Sequence, residues 1–251
     1  MHTTSAGLTI ATIGIGVIDP PLELFITETA FRPNPTTVRF ARTLRIGEGD
    51  IVFDVGTGIG PLAIKAALDG AKHVYGVDPV RMHCELARMN VARHGLQEKV
   101  SIYQGYFFDP FDVEPALKSV KADVIIGDVS GIAQPVARAL GWYSADVPTG
   151  GEDGTEVIIE LLRRSTAYLR PSGAIYFPIA VDLSDSGKII DAAQSLFGSA
   201  MNARNVQFPI SDQELKAIDE AYGGRLPGYI NIQQGRRRYW RGQIWKATDP
   251  R

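Results

Sequence analysis

The run VFDVGTGIGPLAI, residues 52–64, places Asp54 two residues ahead of glycines at 56, 58 and 60, with Thr57 among them. A strand that empties into alternating glycines and then a helix lets backbone amides crowd against whatever binds there. A phosphate-cradling loop would need G-x-x-x-x-G-K-[ST], and no Lys-Ser or Lys-Thr pair follows. A dinucleotide fingerprint would need glycine where Pro61 stands. A turn without a ligand is the remaining alternative. Downstream, VYGVDPV closes a second strand on Asp78 and Pro79. An acid at that tip can accept both hydroxyls of a ribose, or it can cap the helix that follows. ADVIIGDVSGIAQP, residues 122–135, ends another apolar run on Asp128 and Ser130. This acid and hydroxyl would form a catalytic floor, or would only satisfy a turn.

Such residues need a sheet to hold them. DIVFDVG, HVYGVDP, VSIYQG, ADVIIGD and AIYFPIA read as strands. Between them, PLAIKAALDG stops at Gly70, VRMHCELARMNVARHG stops at Gly95, and EDGTEVIIELLRRSTAYLRPSG reads as a helix ended by Pro171 and Gly173. This alternation predicts an α/β fold, a doubly wound parallel sheet with helices on both faces. Further on, DSGKIIDAAQSLFG reads as a helix, ARNVQFPI as a strand, and SDQELKAIDEAYGG as a helix with a capping box of Ser211 and Glu214. RRRYWRGQIWKAT reads as a last strand. Residues 1–45 are predicted as a small N-terminal extension, a strand or hairpin plus loop covering the active site, and 46–251 as the main domain. Ser130 to Glu152 is predicted as a long loop able to act as a lid. Glu152 and Asp153 read as helix-start residues.

The bulk numbers narrow the function classes. The chain has 251 residues, 45% apolar and 22% charged, with a net charge of -2. That is ordinary globular composition with no global pull towards nucleic acid or an anionic membrane. The one cysteine, Cys84, cannot form an internal disulfide, and no C-x-x-C or H-x-x-x-H spacing offers a metal cage. No metal is therefore predicted, and a reducing, cytoplasmic setting fits. GLTIATIGIGVI near the start has no basic leader and is too short to span a bilayer.

The motif residues together resemble a known family. VFDVGTGIG is similar to motif I of class I S-adenosylmethionine-dependent methyltransferases, in which an acid precedes G-x-G-x-G. QGYFFDPF (residues 104–111), VPTGGEDGTEVIIELLRRSTAYLRPSG (147–173) and FRPNPTTVRFAR (31–42) resemble segments of its branch of release-factor glutamine methyltransferases and relatives built on the "methyltransferase small domain". The resemblance implies a Rossmann-like, mostly parallel seven-stranded sheet with an antiparallel C-terminal strand. It implies S-adenosyl-L-methionine as cofactor, held by Thr37, Asp54, Gly56, Thr57, Gly58, Gly60, Asp78, Pro79, Tyr106, Phe107 and Asp128. Tyr106 stands where the family commonly has an acid for the adenine amino group, which leaves adenine to backbone groups or to stacking. At the fourth strand tip the related enzymes carry [ND]-P-P-[YF]. Here Asp128 matches the first position, and Val129, Ser130 and Gly131 replace the rest.

The implied reaction is methyl transfer to nitrogen or oxygen of a small molecule or an amino-acid side chain. Asp128 would orient or deprotonate the acceptor, with Ser130 beside it in the catalytic set. Trp142 and Tyr143 would contact substrate, or would simply pack within their loop. Methylation of a nucleic-acid base is the less favoured alternative, resting on the basic and aromatic cluster Arg236 to Trp240. Protein-glutamine methylation is another, and a non-catalytic cofactor-binding partner protein is a third.

Overall fold

The computed structural model describes residues 9–13, 21–28, 33–143, 147–232 and 238–251. The chain divides into two compact units: residues 1–128 with 167–175, and residues 129–166 with 176–251. The sheet is mostly parallel and seven-stranded, with the C-terminal strand antiparallel. Among the described residues, no helix is long and apolar enough to cross a membrane.

The first unit begins with a two-stranded antiparallel sheet of β1 (Thr9–Ile13) and β2 (Leu22–Ile26). The predicted N-terminal hairpin therefore pairs with a strand further along than GLTIATIGIGVI, whose residues 7, 8 and 14–18 lie outside the described residues. Helix α1 (Pro35–Thr43) follows; Asn34 caps it by accepting from the Thr36 and Thr37 N–H groups, and Pro35 opens its first turn. Next come β3 (Ile51–Val55), α2 (Pro61–Leu68), β4 (His73–Asp78), α3 (Arg81–Arg93), β5 (Val100–Gln104), α4 (Asp109–Val113) and β6 (Ala122–Ile126). β3 pairs in parallel with both β4 and β6, and β4 pairs with β5. Val52, Phe53, Val74, Val77, Ile125 and Ile126 are fully buried, as strands covered on both faces require. Helix α2 presents apolar residues nearly all round and is buried accordingly.

The second unit holds α5 (Gln134–Ala139) and α6 (Glu156–Ser165), and β7 (Leu169–Ile179) contributes to both units. Then follow α7 (Ser186–Leu196), β8 (Phe197–Pro209), α8 (Asp212–Ala221) and β9 (Tyr239–Pro250). The strand order of the sheet is β5-β4-β3-β6-β7-β9-β8, and β8 runs antiparallel to β9. The capping box of Ser211 and Glu214 is present. Two expectations are corrected. The helix read through to Pro171 and Gly173 ends at Ser165, and both residues lie inside β7. The segment read as a structureless loop contains α5, because Val136, Ala137 and Leu140 share one helical face with partners in an apolar cluster.

A candidate cofactor site built on three strand tips

Thr37, Asp54, the glycine loop, Asp78 and Asp128 all belong to the first unit. The loop after β3 is shaped by its own hydrogen bonds. The N–H groups of Gly56 and Thr57 donate to the Val77 carbonyl at 2.8 and 3.0 Å, and that of Gly60 to Thr57. The Gly58 N–H donates to Asp78 Oδ2 at 2.9 Å. These donors are directed at the protein itself, so the loop is not an anion nest of the phosphate-binding kind. Gly60 sits at φ 90°, a left-handed conformation that starts α2 with Pro61 in its first turn. A Cβ on Gly76 would meet Thr57 Oγ1 at 3.1 Å and Ile102 Cδ1 at 2.6 Å, so this glycine gives Thr57 room over β4.

Asp54 is buried at the end of β3, and its Oδ2 accepts from the Thr57 hydroxyl at 2.6 Å. Burial pushes its carboxyl up to about 7, and repulsion from Asp128 and Asp78 adds to the rise against the Thr57 bond. Asp128, just beyond β6, accepts from the Thr37 hydroxyl at 2.8 Å. Desolvation raises it to about 6, with the Thr37 bond pulling the other way. Thr37 is itself buried and held by the Asn34 cap of α1.

Asp78, at the tip of β4, is surrounded by donors. Its Oδ1 accepts from the Val80 N–H at 2.9 Å and lies 3.1 Å from His83 Nδ1. Asp78 does not cap α3, whose first flanking residue is Val80. Pro79 lies between them, and its carbonyl accepts from Gln104. After β5, Tyr106 is exposed while Phe107 is buried with φ 51°, an uncommon conformation for a residue other than glycine. Their rings meet edge to face at 4.7 Å.

The structure thus gathers Thr37, Asp54, Gly56, Thr57, Gly58, Gly60, Asp78 and Asp128 in one unit through hydrogen bonds and charge interactions. Two partners escaped the sequence reading. His83 looked like one more residue of an amphipathic helix. Asn90 is fully buried, donates to the Ile59 carbonyl of the glycine loop at 2.9 Å, and pairs with both backbone groups of Phe25 on β2. A polar residue on the inward stripe of α3 was the available signal. Among the described residues, no group of three or more His, Cys, Asp or Glu is placed to hold a metal ion.

The remaining predicted residues belong to the second unit. Ser130 is buried, and its Oγ has no hydrogen-bond partner among the described residues. Trp142 and Tyr143 pack against the apolar cluster around Val136, Ile218 and Trp240, with the Trp142 and Trp240 rings 6.0 Å apart. Asp153 accepts from Thr155 just before α6 and pairs with Lys188. Of the basic run, Arg236 and Arg237 lie outside the described residues, and Arg238 pairs with Asp212.

Comparison with known proteins adds to this geometry. A family model described as ribosomal protein L11 methyltransferase (PrmA) matches residues 36–165. A ribosomal protein L11 methyltransferase of Anoxybacillus flavithermus is 36% identical over 98 residues, which is 38% of this chain and 29% of that protein. A release factor glutamine methyltransferase of Gloeobacter violaceus is 26% identical over 161 residues, 62% of this chain and 55% of that protein. The matched stretch thus covers about half or less of these relatives' own length. The crystal structure of a ribosomal protein L11 methylase from Lactobacillus delbrueckii shares the fold, with a TM-score of 0.54 at 19% identity over 87% of this chain and 81% of that one.

Proposed function

The chain belongs to the ribosomal protein L11 methyltransferase (PrmA) family, and from that premise we propose that it is an S-adenosylmethionine-dependent methyltransferase acting on nitrogen or oxygen of an amino-acid side chain or a small molecule. The carrying observation is the charge of the strand-tip site. Asp54 and Asp128 are desolvated carboxylates whose side-chain partners are hydroxyls, those of Thr57 and Thr37. Among the described residues, no ion pair joins either acid. A site so short of positive charge suits a cationic ligand, and the cofactor carries both a sulfonium and an α-ammonium group. Asp54 would face that end, Asp78 the ribose, and Tyr106 with Phe107 the adenine.

When bound, the cofactor supplies an activated methyl group on sulfur. The chain's own work is to orient the acceptor and manage its proton. Thr37 occupies one oxygen of Asp128, which fixes the carboxylate and leaves the other oxygen to take an N–H or O–H hydrogen bond. A carboxylate with a pKa near 6 is mostly ionised at neutral pH, yet is a better base than an ordinary aspartate. Asp128 would therefore aim the acceptor lone pair and receive its proton. Family relatives named for ribosomal protein L11 and for release factor glutamine favour an amino-acid side chain as acceptor.

Titration calorimetry with S-adenosylhomocysteine tests the premise of the mechanism. We expect saturable binding by the wild type and a loss of at least about a hundredfold in Asp78→Ala, since a hydrogen-bonded charged group is removed. A wild type that does not bind, or binding indifferent to Asp78→Ala, overturns the reading.

A further inference from the structure

An ionised carboxylate offers about four acceptor positions, two on each oxygen. On Asp78, three are already taken: Oδ1 by the Val80 N–H at 2.9 Å and by His83 at 3.1 Å, and Oδ2 by the Gly58 N–H at 2.9 Å. A carboxylate can only accept, so the His83 Nδ1 facing it carries the hydrogen. His83 is itself buried on α3, five residues beyond the acid it contacts. The two backbone donors are part of the loop and the turn and cannot be withdrawn without rebuilding them. The imidazole is the side-chain donor, and it is the one that fills Oδ1.

We propose that His83 is a specificity-determining residue that reduces Asp78 to a single open acceptor position, so that the ribose of the cofactor is anchored on Asp78 through one hydroxyl rather than two. The inference rests on the cofactor reading above and goes beyond it, because an unencumbered carboxylate at this strand tip would take both hydroxyls of the diol. His83 acts through Asp78 and touches no reacting atom; it is a positioning residue. Its consequence is an asymmetry. Removing one ribose hydroxyl strips the ligand of its bond to a charged acceptor, whereas removing the other costs no bond to Asp78.

The test is calorimetric titration of the full chain with S-adenosylhomocysteine and with its 2′-deoxy and 3′-deoxy forms. In the wild type, one deoxy analogue should lose about ten- to a hundredfold in affinity and the other should stay within about threefold. In His83→Leu the Oδ1 position is released, and both analogues should then be penalised. His83→Asn, which keeps a side-chain N–H, should restore the one-sided pattern. A residue that merely stabilised the fold would lower all three affinities together without changing their ratios. Equal losses for the two analogues in the wild type overturn the inference while leaving the cofactor reading intact. So does a pattern that stays one-sided in His83→Leu. If S-adenosylhomocysteine itself does not bind, the cofactor reading fails and this inference falls with it. The wild-type arm needs no substitution, so a poorly folding variant does not remove the test.

Discussion

Asp78 at the tip of β4 and Asp128 just past the tip of β6 are aspartates in matching places on parallel strands, but their surroundings differ. Asp78 is gripped by two backbone N–H groups and an imidazole. Asp128 receives one hydroxyl, from Thr37, and is pushed up to about 6 by desolvation. Donors that converge on a carboxylate fix its direction, which suits a group proposed to accept a ligand hydroxyl in one orientation. A carboxylate with few donors is costly to keep ionised, and that cost is what makes it a competent base. On the proposed reading, the number of donors at each strand tip would separate holding from proton transfer. Asp54, on β3 between those two strands, is deeply buried, with a hydroxyl bond from Thr57 and a backbone hydrogen bond with Ala63.

The comparison breaks most visibly if Asp128 is not the proton acceptor. Asp128→Asn keeps the shape and the Thr37 contact but removes the base. Methyl transfer should fall by about a hundred- to ten-thousandfold, as is usual for loss of a general base. Affinity for S-adenosylhomocysteine should change little by comparison. In the wild type, kcat/KM should rise as pH climbs through about 6 and level off above it, because the ionised form is the active one. A variant with near-normal turnover of labelled methyl, or a profile flat from about one unit below to about two units above the expected midpoint, removes Asp128 from the chemistry.

Asp54 sharpens the comparison through stability. Its folded pKa, near 7, lies above the ordinary value of 3.8 for an unfolded aspartate. The folded state therefore binds this proton more tightly, and the stability it contributes is full below about pH 4 and is lost as pH rises towards 7. Asp54→Asn cannot ionise and should escape that loss. Its melting temperature should match the wild type near pH 4 and exceed it above pH 7, by about 4–8 °C if the gain is about 2 kcal/mol. The same substitution should weaken cofactor binding. A variant less stable than the wild type at pH 8 contradicts the assignment of a carboxylate whose burial outweighs its hydrogen bonds.

How much of this was legible beforehand follows from what kind of force fixed each part. Alternating strands and helices, the stop at Gly95 and the capping box of Ser211 are local patterns, and the chain obeys them. The glycine loop and Asp78 carried a spacing that few other sites need. His83 and Asn90 were hidden because a helix position that faces inward reveals burial but not its partner; the partner comes from β4, β2 or the loop after β3. Pro171 and Gly173 misled in the opposite direction. They look like breakers, but Pro171 lies on the exposed start of β7. A Cβ on Gly173 would lie 3.0 Å from the Ala122 carbonyl, so the strand needs that glycine for close approach. Gly154 is similar in the second unit, where a Cβ would meet Ser184 at 2.5 Å and the Ala133 nitrogen at 2.7 Å.

The smallest expected effect belongs to Thr37, among the described residues the one side chain that hydrogen-bonds Asp128. Its hydroxyl bond lowers the Asp128 pKa against the larger effect of burial. Thr37→Val is nearly the same shape and leaves α1 and its Asn34 cap in place, so a folding defect is not expected. Without the donor, Asp128 should be harder to ionise, and the acid limb of the rate profile should move above pH 6 by about one unit, the order set by one hydrogen bond to a charge. At pH 8 the rate should be close to normal, and at pH 6 it should be several-fold lower. Thr37→Ser should restore the wild-type limb. A Thr37→Val enzyme slowed equally at every pH would mean that the threonine serves packing or cofactor contact alone, and that the single donor on Asp128 is not what tunes it.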